Sequence, residues 1–526
     1  MASPAVRKSA SLLLITRTPP FSSKHSSFHS IALSSSQTLF SQVTHCTRSY
    51  STTMAADLLR RPKKLIIACD GTWMNSDIGW TKGGWFDQGH PQNPSNVTRL
   101  VRALKPEDDA KHVQIAYYQS GIGTSWSSAD KFLGGGLAMG LSENVREAYG
   151  FLVNNYHGSP SDPNSDKLFF VGFSRGAYTA RSVAGMIGCL GLLTKSAMSH
   201  FYAIFEDFEN AGHEDYKPQL PDHFPKFQIK VPPRQINEYL KAYLAELRKH
   251  EMTRVVDVQA IGVFDTVGSL GVPVVPWLQR LGMPTTLHSY RFFDTGIDDH
   301  VKNAFQVLAL DEHRSAFGPT IWSKRDNGKT NLKQVWIPGV HTNAGGGADD
   351  NGICDISLAW MMDQLSGAGL EFDDTYIKKQ VEKTKDDYKN RLGMEWKWGQ
   401  GQLGNSFKFP TSLAGSVIRS PLGYFVTDYD TGRPTNKKLT NTNELIHASV
   451  RLRYQQGTTH DGKEYRSLAL KDWNQPDALK NRMFWQHPKE ETRRLPVDVI
   501  GKYEKMVLEF DKEAQDFVEK GPAFGD

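Results

Sequence analysis

The sequence predicts an α/β fold built on a mostly parallel sheet, with a helical insertion and an irregular C-terminal extension. Three observations predict it. From Lys63 onward, short β-rich apolar runs alternate with helical patterns, the order in which parallel strands and crossover helices follow one another. The run Lys167 to Gly172 passes into a helical pattern with almost no loop. Between Thr194 and Glu251 the alternation breaks into two aromatic-rich amphipathic patterns, Phe201 to Phe208 and Ile236 to Leu247, joined by the Pro-rich stretch Pro218 to Pro233, as expected of an insertion set over a sheet.

Strands are expected at Leu65 to Cys69, Val113 to Tyr118, Lys167 to Gly172, Val255 to Phe264 and Leu332 to Ile337, each a short apolar run rich in β-branched or aromatic residues. Helices are expected at Ser95 to Leu104, Leu141 to Tyr156, Ser174 to Ile187, His300 to Leu310 and Ile353 to Leu365, where apolar residues recur at helical spacing. From about Trp396 the chain turns irregular, rich in Gly, Asn, Lys and Arg, before an amphipathic pattern near Val497 to Phe517. No chemistry-bearing motif stands out in this last third. The expected organisation is a leader over residues 1–53, a catalytic domain over 63–395 with its insertion at about 194–251, and an extension over 396–526 packed on that domain.

With 526 residues, 39% hydrophobic and 23% charged, and 45 Gly and 26 Pro, the composition is that of a globular protein. The longest apolar candidate, Val183 to Leu193, is interrupted by three glycines and falls short of the ~18 to 20 residues a spanning helix needs. The net charge of +5 belongs to the leader: Arg7, Lys8, Arg17, Lys24 and Arg48 precede the first acid, Asp57, and the rest of the chain is balanced. A nucleic-acid partner therefore loses its main electrostatic argument. The leader holds 14 Ser, scattered bases and the apolar stretch Leu12 to Ile15, the composition of a mitochondrial presequence. Arg48-Ser49-Tyr50-Ser51 resembles a processing site with cleavage after Tyr50, and Met54 offers an internal start for a cytoplasmic form. Cys46 falls in the leader, and Cys69, Cys189 and Cys354 stand apart inside apolar segments, which suggests neither a disulfide framework nor a zinc site.

Gly172-Phe173-Ser174-Arg175-Gly176 fits the G-x-S-x-G nucleophile elbow. Its setting gives the motif weight, because it follows an apolar strand and opens the helix beginning Ala177-Tyr178-Thr179. A bland alternative makes Ser174 a helix N-cap after a tight turn. A serine hydroxyl needs a base and an orienting acid, here in the chain order Ser, Asp, His. Asp265 closes the strand Ala260 to Phe264 and so lies at the catalytic edge of a parallel sheet, with Asp294, Asp349 and Asp350 as rivals. His341 follows the last expected strand and precedes the run Gly345-Gly346-Gly347. Its rival His313 sits at the end of a helical pattern, where a solvated histidine is common. After the first strand, Asp70-Gly71-Thr72 offers an oxyanion N–H from Gly71 or Thr72, joined by the backbone N–H of Arg175. Asp70 is expected to shape that loop, and the Arg175 side chain to meet a phosphate or carboxylate of the substrate or to pair with a neighbouring acid.

These residues resemble a family, the α/β-hydrolases of the catalytic domain of type VI secretion phospholipase effectors, long catalogued as a domain of unknown function and common in fungi. The resemblance rests on Cys69 to Trp73, Asn93 to Val97, Tyr118 to Gly123, Gly172 to Arg181, Val263 to Gly268, Ala309 to Arg314 with Phe317, and Gly339-Val340-His341 with Asp355 to Met361. It implies a Ser174-Asp265-His341 triad and lipolytic activity. One departure is His341-Thr342-Asn343-Ala344, where the family usually has His-Ser-Asp-Val, so that a second acid is missing.

The expectation is a serine esterase or lipase, phospholipase-like, acting on a lipid or small acyl-ester substrate through an acyl-enzyme, with peripheral membrane contact and no metal or organic cofactor. The alternatives are a thioester or amide hydrolase and a non-catalytic binding or structural protein on a hydrolase scaffold. An acyl pocket is expected from the apolar loop Leu270 to Leu278 and the aromatic residues Phe201, Tyr202, Phe205 and Phe208 of the insertion. Oligomeric state is not legible in the sequence.

Overall fold

In the computed structural model, seven strands form one sheet: β1 (Lys63–Cys69), β2 (Val113–Gln119), β3 (Lys167–Phe173), β4 (Val258–Phe264), β5 (Asn303–Ala309), β6 (Asn331–Ile337) and β7 (Glu444–Ile446). The structure describes residues 61–71, 80–81, 90–121, 136–158, 162, 164–213, 215–267, 296–404, 415–427, 434–457, 464–476 and 484–520. Thr72, Asp294, the loop 270–278 and the leader lie outside them. Across the sheet the strands run 2-1-3-4-5-6-7, and every neighbouring pair is parallel. The order reverses direction between β1 and β3, which opens a crevice beyond the carboxyl ends of those two strands.

Alternation along the strands divides the apolar side chains between two cores. Leu65, Ile67, Leu168 and Phe170 face one, and Ile66, Ala68, Phe169 and Val171 the other. A parallel sheet buried on both faces needs such continuous apolar runs. The first face is covered by α2 (Gly136–Asn155), α3 (Ser174–Leu190) and the insertion helices α4 (Phe201–Glu209) and α5 (Ile236–Lys249). The second is covered by α1 (Asn96–Ala103), α7 (Gly352–Gly367) and residues of the C-terminal third, including Trp398, Trp485 and Tyr503. Between β6 and α7 lies the short helix α6 (His341–Gly345).

Three elements differ from expectation. The segment expected as a helix over His300 to Leu310 is strand β5, pairing with β4 on one side and β6 on the other. Buried on both faces, it has no alternation to mark it, and a short apolar run reads equally well as a buried helix. The pattern near Val497 to Phe517 is two helices, α8 (Lys502–Leu508) and α9 (Lys512–Glu519), with Asp511 capping the second through Ala514 N–H. The aromatic side chains of the insertion are largely packed: Phe205 and Phe208 are buried and Phe201 stacks on Tyr149, while Tyr202 stands exposed. Among the described residues, no helix is long and apolar enough to cross a membrane.

Candidate active site

Strands β3 and β4 are in register to their ends, with Phe173 opposite Phe264, so Ser174 and Asp265 leave adjacent strands at the same edge of the sheet. Ser174 opens α3 with φ +57°, a conformation that L residues other than Asn and Asp rarely adopt outside strained functional turns. Packing imposes it. A Cβ on Gly176 would stand 2.2 Å from the Cys69 carbonyl oxygen, so the elbow closes directly onto the end of β1. The N-cap of α3 is Phe173, with no side-chain capping bond. Ser174 therefore does not cap the helix.

Asp265 is fully buried and also has positive φ, +40°. Its carboxylate accepts four hydrogen bonds. Oδ2 accepts from His341 Nδ1 at 2.7 Å and from Arg419 Nη2 at 3.0 Å; Oδ1 accepts from Arg419 Nη1 at 2.5 Å and from the Ala309 N–H at 3.0 Å. Burial would raise the carboxyl pKa, but the Arg419 guanidinium and the His341 bond together hold it well below the usual carboxylate range. An acid held ionised beside Nδ1 leaves Nε2 facing away. That nitrogen is buried and has no hydrogen-bond partner among the described residues, so it is not bonded to Ser174 here.

The imidazole is held between two rings. Phe173, the residue before Ser174, lies 4.7 Å from it centroid to centroid, and Phe317 meets it edge-on at 4.8 Å. Gly345 permits this approach, because a Cβ there would fall 1.9 Å from the Phe173 ring. The His341 backbone N–H donates to Glu312, which is itself held by Arg314. Asn343, two residues on, is buried: its Oδ1 accepts from Val340 and Gly404 N–H, and its Nδ2 donates to the Gln402 carbonyl.

The loop after β1 lies against the elbow, with a Cβ on Gly71 falling 3.4 Å from Ser174 Cβ. Its shape comes from Asp70, which accepts from Ser95 Oγ, Thr98 Oγ1 and Tyr118 OH and, at 2.7 Å, from the Gly71 N–H. The Gly71 amide is thus engaged by a carboxylate in this structure. The Arg175 side chain lines a narrow cleft with Asp70, Gln119 and Asn144. It has no ion pair among the described residues, and burial pushes its pKa down to about 10.

The rival residues are placed elsewhere. Asp350 is used up by Gly352 N–H, Tyr388 OH and Gln402 N–H, and the Asp349 carbonyl accepts from Asn93 and Arg391. His313 follows a strand rather than a helix and is half-buried, with an unpartnered Nδ1 and no carboxylate among the described residues. The nearby thiols of Cys69 and Cys354 are pushed up to about 12 by burial, which leaves them inert as nucleophiles at neutral pH. Among the described residues, no group of three or more His, Cys, Asp or Glu is gathered as a metal would require.

Arg419 is the residue that sequence reasoning passed over. It comes from the C-terminal third, it is 3% exposed, and it grips both oxygens of Asp265 from 154 positions away. Nothing local marks it.

Comparison with known proteins gives matches of three kinds. The chain is 27% identical over 269 residues to Uncharacterized protein YEL023C of Saccharomyces cerevisiae, a match spanning 48% of this chain and 32% of that protein. Among solved structures, an uncharacterized protein from Pseudomonas aeruginosa aligns at 16% identity and TM-score 0.34 over 61% of this chain and 48% of that one. The Tle1 effector bound to the VgrG spike of the type 6 secretion system aligns at 15% identity and TM-score 0.29, over 73% and 92%. The model of the T6SS phospholipase effector Tle1-like catalytic domain matches residues 63–364, from β1 into α7, and this chain belongs to that family.

Proposed function

We propose that this protein is a serine hydrolase of carboxylic esters, with lipid or phospholipid acyl esters as substrates, acting through Ser174, His341 and Asp265 on an α/β-hydrolase scaffold. The observation that carries the reading is the buried Asp265–His341 pair, whose imidazole packs on Phe173 of the strained elbow and whose Nε2 has no partner among the described residues. In this reading His341 takes the Ser174 proton as the hydroxyl attacks the acyl carbonyl, then returns it to the leaving group, and Asp265 fixes the tautomer with its proton on Nδ1. The Arg175 amide, at the start of α3, supplies one oxyanion donor; the loop after β1 supplies the other, from Thr72 or from a Gly71 amide released by Asp70.

The family supports a lipid ester. So do the exposed Val417 and Ile418, which precede Arg419, the Val417 N–H donating to the His313 carbonyl. The partly buried Arg175 guanidinium, which has no ion pair among the described residues and lines the cleft at the end of β1 with Asp70 and Gln119, suits an anionic group such as a phosphate. The acid-free leader supports a mitochondrial destination, with a cytoplasmic form from Met54 as the alternative.

A fluorophosphonate probe and a panel of esters of graded acyl length test the reading. Wild type should label, and Ser174→Ala should abolish labelling and turnover without shifting the melting temperature, since the hydroxyl caps nothing. His341→Ala should lose turnover while His313→Ala keeps most of it. Asp265→Asn should lose on the order of 10⁴-fold in kcat. An unlabelled wild type would favour a binding protein. Labelling with turnover only of acetyl esters, or only of thioesters or amides, would exclude the lipid substrate.

A further inference from the structure

We propose that Arg419 is a positioning residue for this hydrolysis: its guanidinium fork fixes the plane of the Asp265 carboxylate, and through it the direction in which His341 Nε2 points. The inference rests on the serine-hydrolase reading. It makes the C-terminal third a contributor to a site whose other members lie on the sheet and its loops.

The geometry is that of a clamp. One Nη donates to Oδ1 and to the Ala309 carbonyl, and the other to Oδ2 and to the Phe317 carbonyl. The carboxylate is thereby tied to the end of β5 and to the loop that carries the Phe317 ring against His341. A single cation thus sets both the acid beneath the imidazole and one of the two rings that flank it. Glu312 also acts on Arg419, and it is already paired with Arg314. Stability alone is a poor account of the arrangement, because buried ion pairs are often replaceable by apolar groups at no cost. A carboxylate gripped at both oxygens, by contrast, cannot rotate about its Cβ–Cγ bond, and the His341 bond needs that restraint.

Arg419→Lys is the informative variant, since an ammonium keeps the charge but cannot span two carboxylate oxygens and two carbonyls. In the full-length protein it should lower kcat roughly 10- to 100-fold with KM within about 3-fold, the signature of lost transition-state alignment. The same change in the Asp265→Asn background should cost less than about 3-fold, because no carboxylate is left to aim. Guanidinium ion should partly restore labelling of Arg419→Ala by a fluorophosphonate probe. Full-rate Arg419→Lys, equal losses in both backgrounds, a loss confined to KM, or a lysine variant that fails to fold would each overturn the role. A wild type that shows no Ser174-dependent labelling overturns the hydrolase reading and this inference with it. A labelled wild type matched by Arg419→Lys overturns this inference alone.

Discussion

Asn343 does something at the third position of α6 that a carboxylate can do only in part. Its Oδ1 accepts two backbone N–H groups, as either residue type would, but its Nδ2 donates to the Gln402 carbonyl at 3.1 Å. An aspartate would set oxygen against oxygen there, in a position 1% exposed. Asn343→Asp is therefore expected to destabilise the fold by about 2 kcal/mol or more, read as a lower denaturation midpoint at unchanged m-value. A neutral or stabilised variant would mean that the Gln402 contact is dispensable. The departure from the usual His-Ser-Asp-Val pattern thus has a structural account in this chain. The same scale shows what a sequence hides. Asp265 and His341 were legible because each follows an apolar strand, and parallel strands deliver such residues to one edge. Arg419 was not, because a bond across 154 positions leaves no local trace and the chain holds 62 Lys and Arg.

Elements were legible where the pattern was local. Strand β3, the elbow and α3 form one continuous stretch with a strand, two glycines and a helix start in order, and the structure keeps those boundaries closely. β5 was misread because it is covered on both faces, and β7 was missed because three residues carry too little pattern to stand out. Between α1 and β2 the chain turns on Asp108, which accepts from Lys64 Nζ at 2.5 Å and from the His112 N–H at 2.7 Å. Burial opposes the charge, but the Lys64 contact and the two His112 bonds hold the Asp108 pKa down at about 2. A depressed carboxylate stabilises the fold above its unfolded pKa, near 4, and that stability is lost as the pH falls through the folded value. Asp108→Asn should therefore cost roughly 2 kcal/mol at pH 7, with the gap to wild type closing between pH 4 and pH 2. Urea unfolding at pH 7, 5 and 3 checks it, and a gap constant with pH would assign the loss to packing.

Over residues 61–526, the irregular C-terminal third does two jobs that its composition conceals. It supplies the clamp on Asp265, and it covers one face of the sheet. Trp398, Ile446, Trp485, Leu495, Val507 and Leu508 are buried in the same core as Trp336 of β6 and Trp360 of α7. The polar contacts follow suit: Trp336 Nε1 donates to Glu444, and Trp360 Nε1 to Asp498. β7 also pairs with β6, which would otherwise end the sheet as an unprotected edge. At ~1.5 to 3 kcal/mol for each fully buried apolar side chain, these six alone amount to on the order of 10 kcal/mol, comparable with the ~5 to 15 kcal/mol net stability of a folded domain. A chain ending at residue 395 is thus expected not to melt cooperatively and to aggregate through the bared face and edge, although it retains Ser174, Asp265, His341 and the whole family-matched segment. Calorimetry and size-exclusion chromatography of that truncation decide the matter. A soluble monomer with a sharp transition would show that residues 61–395 fold alone, and would leave the C-terminal third as an addition instead of half of one core.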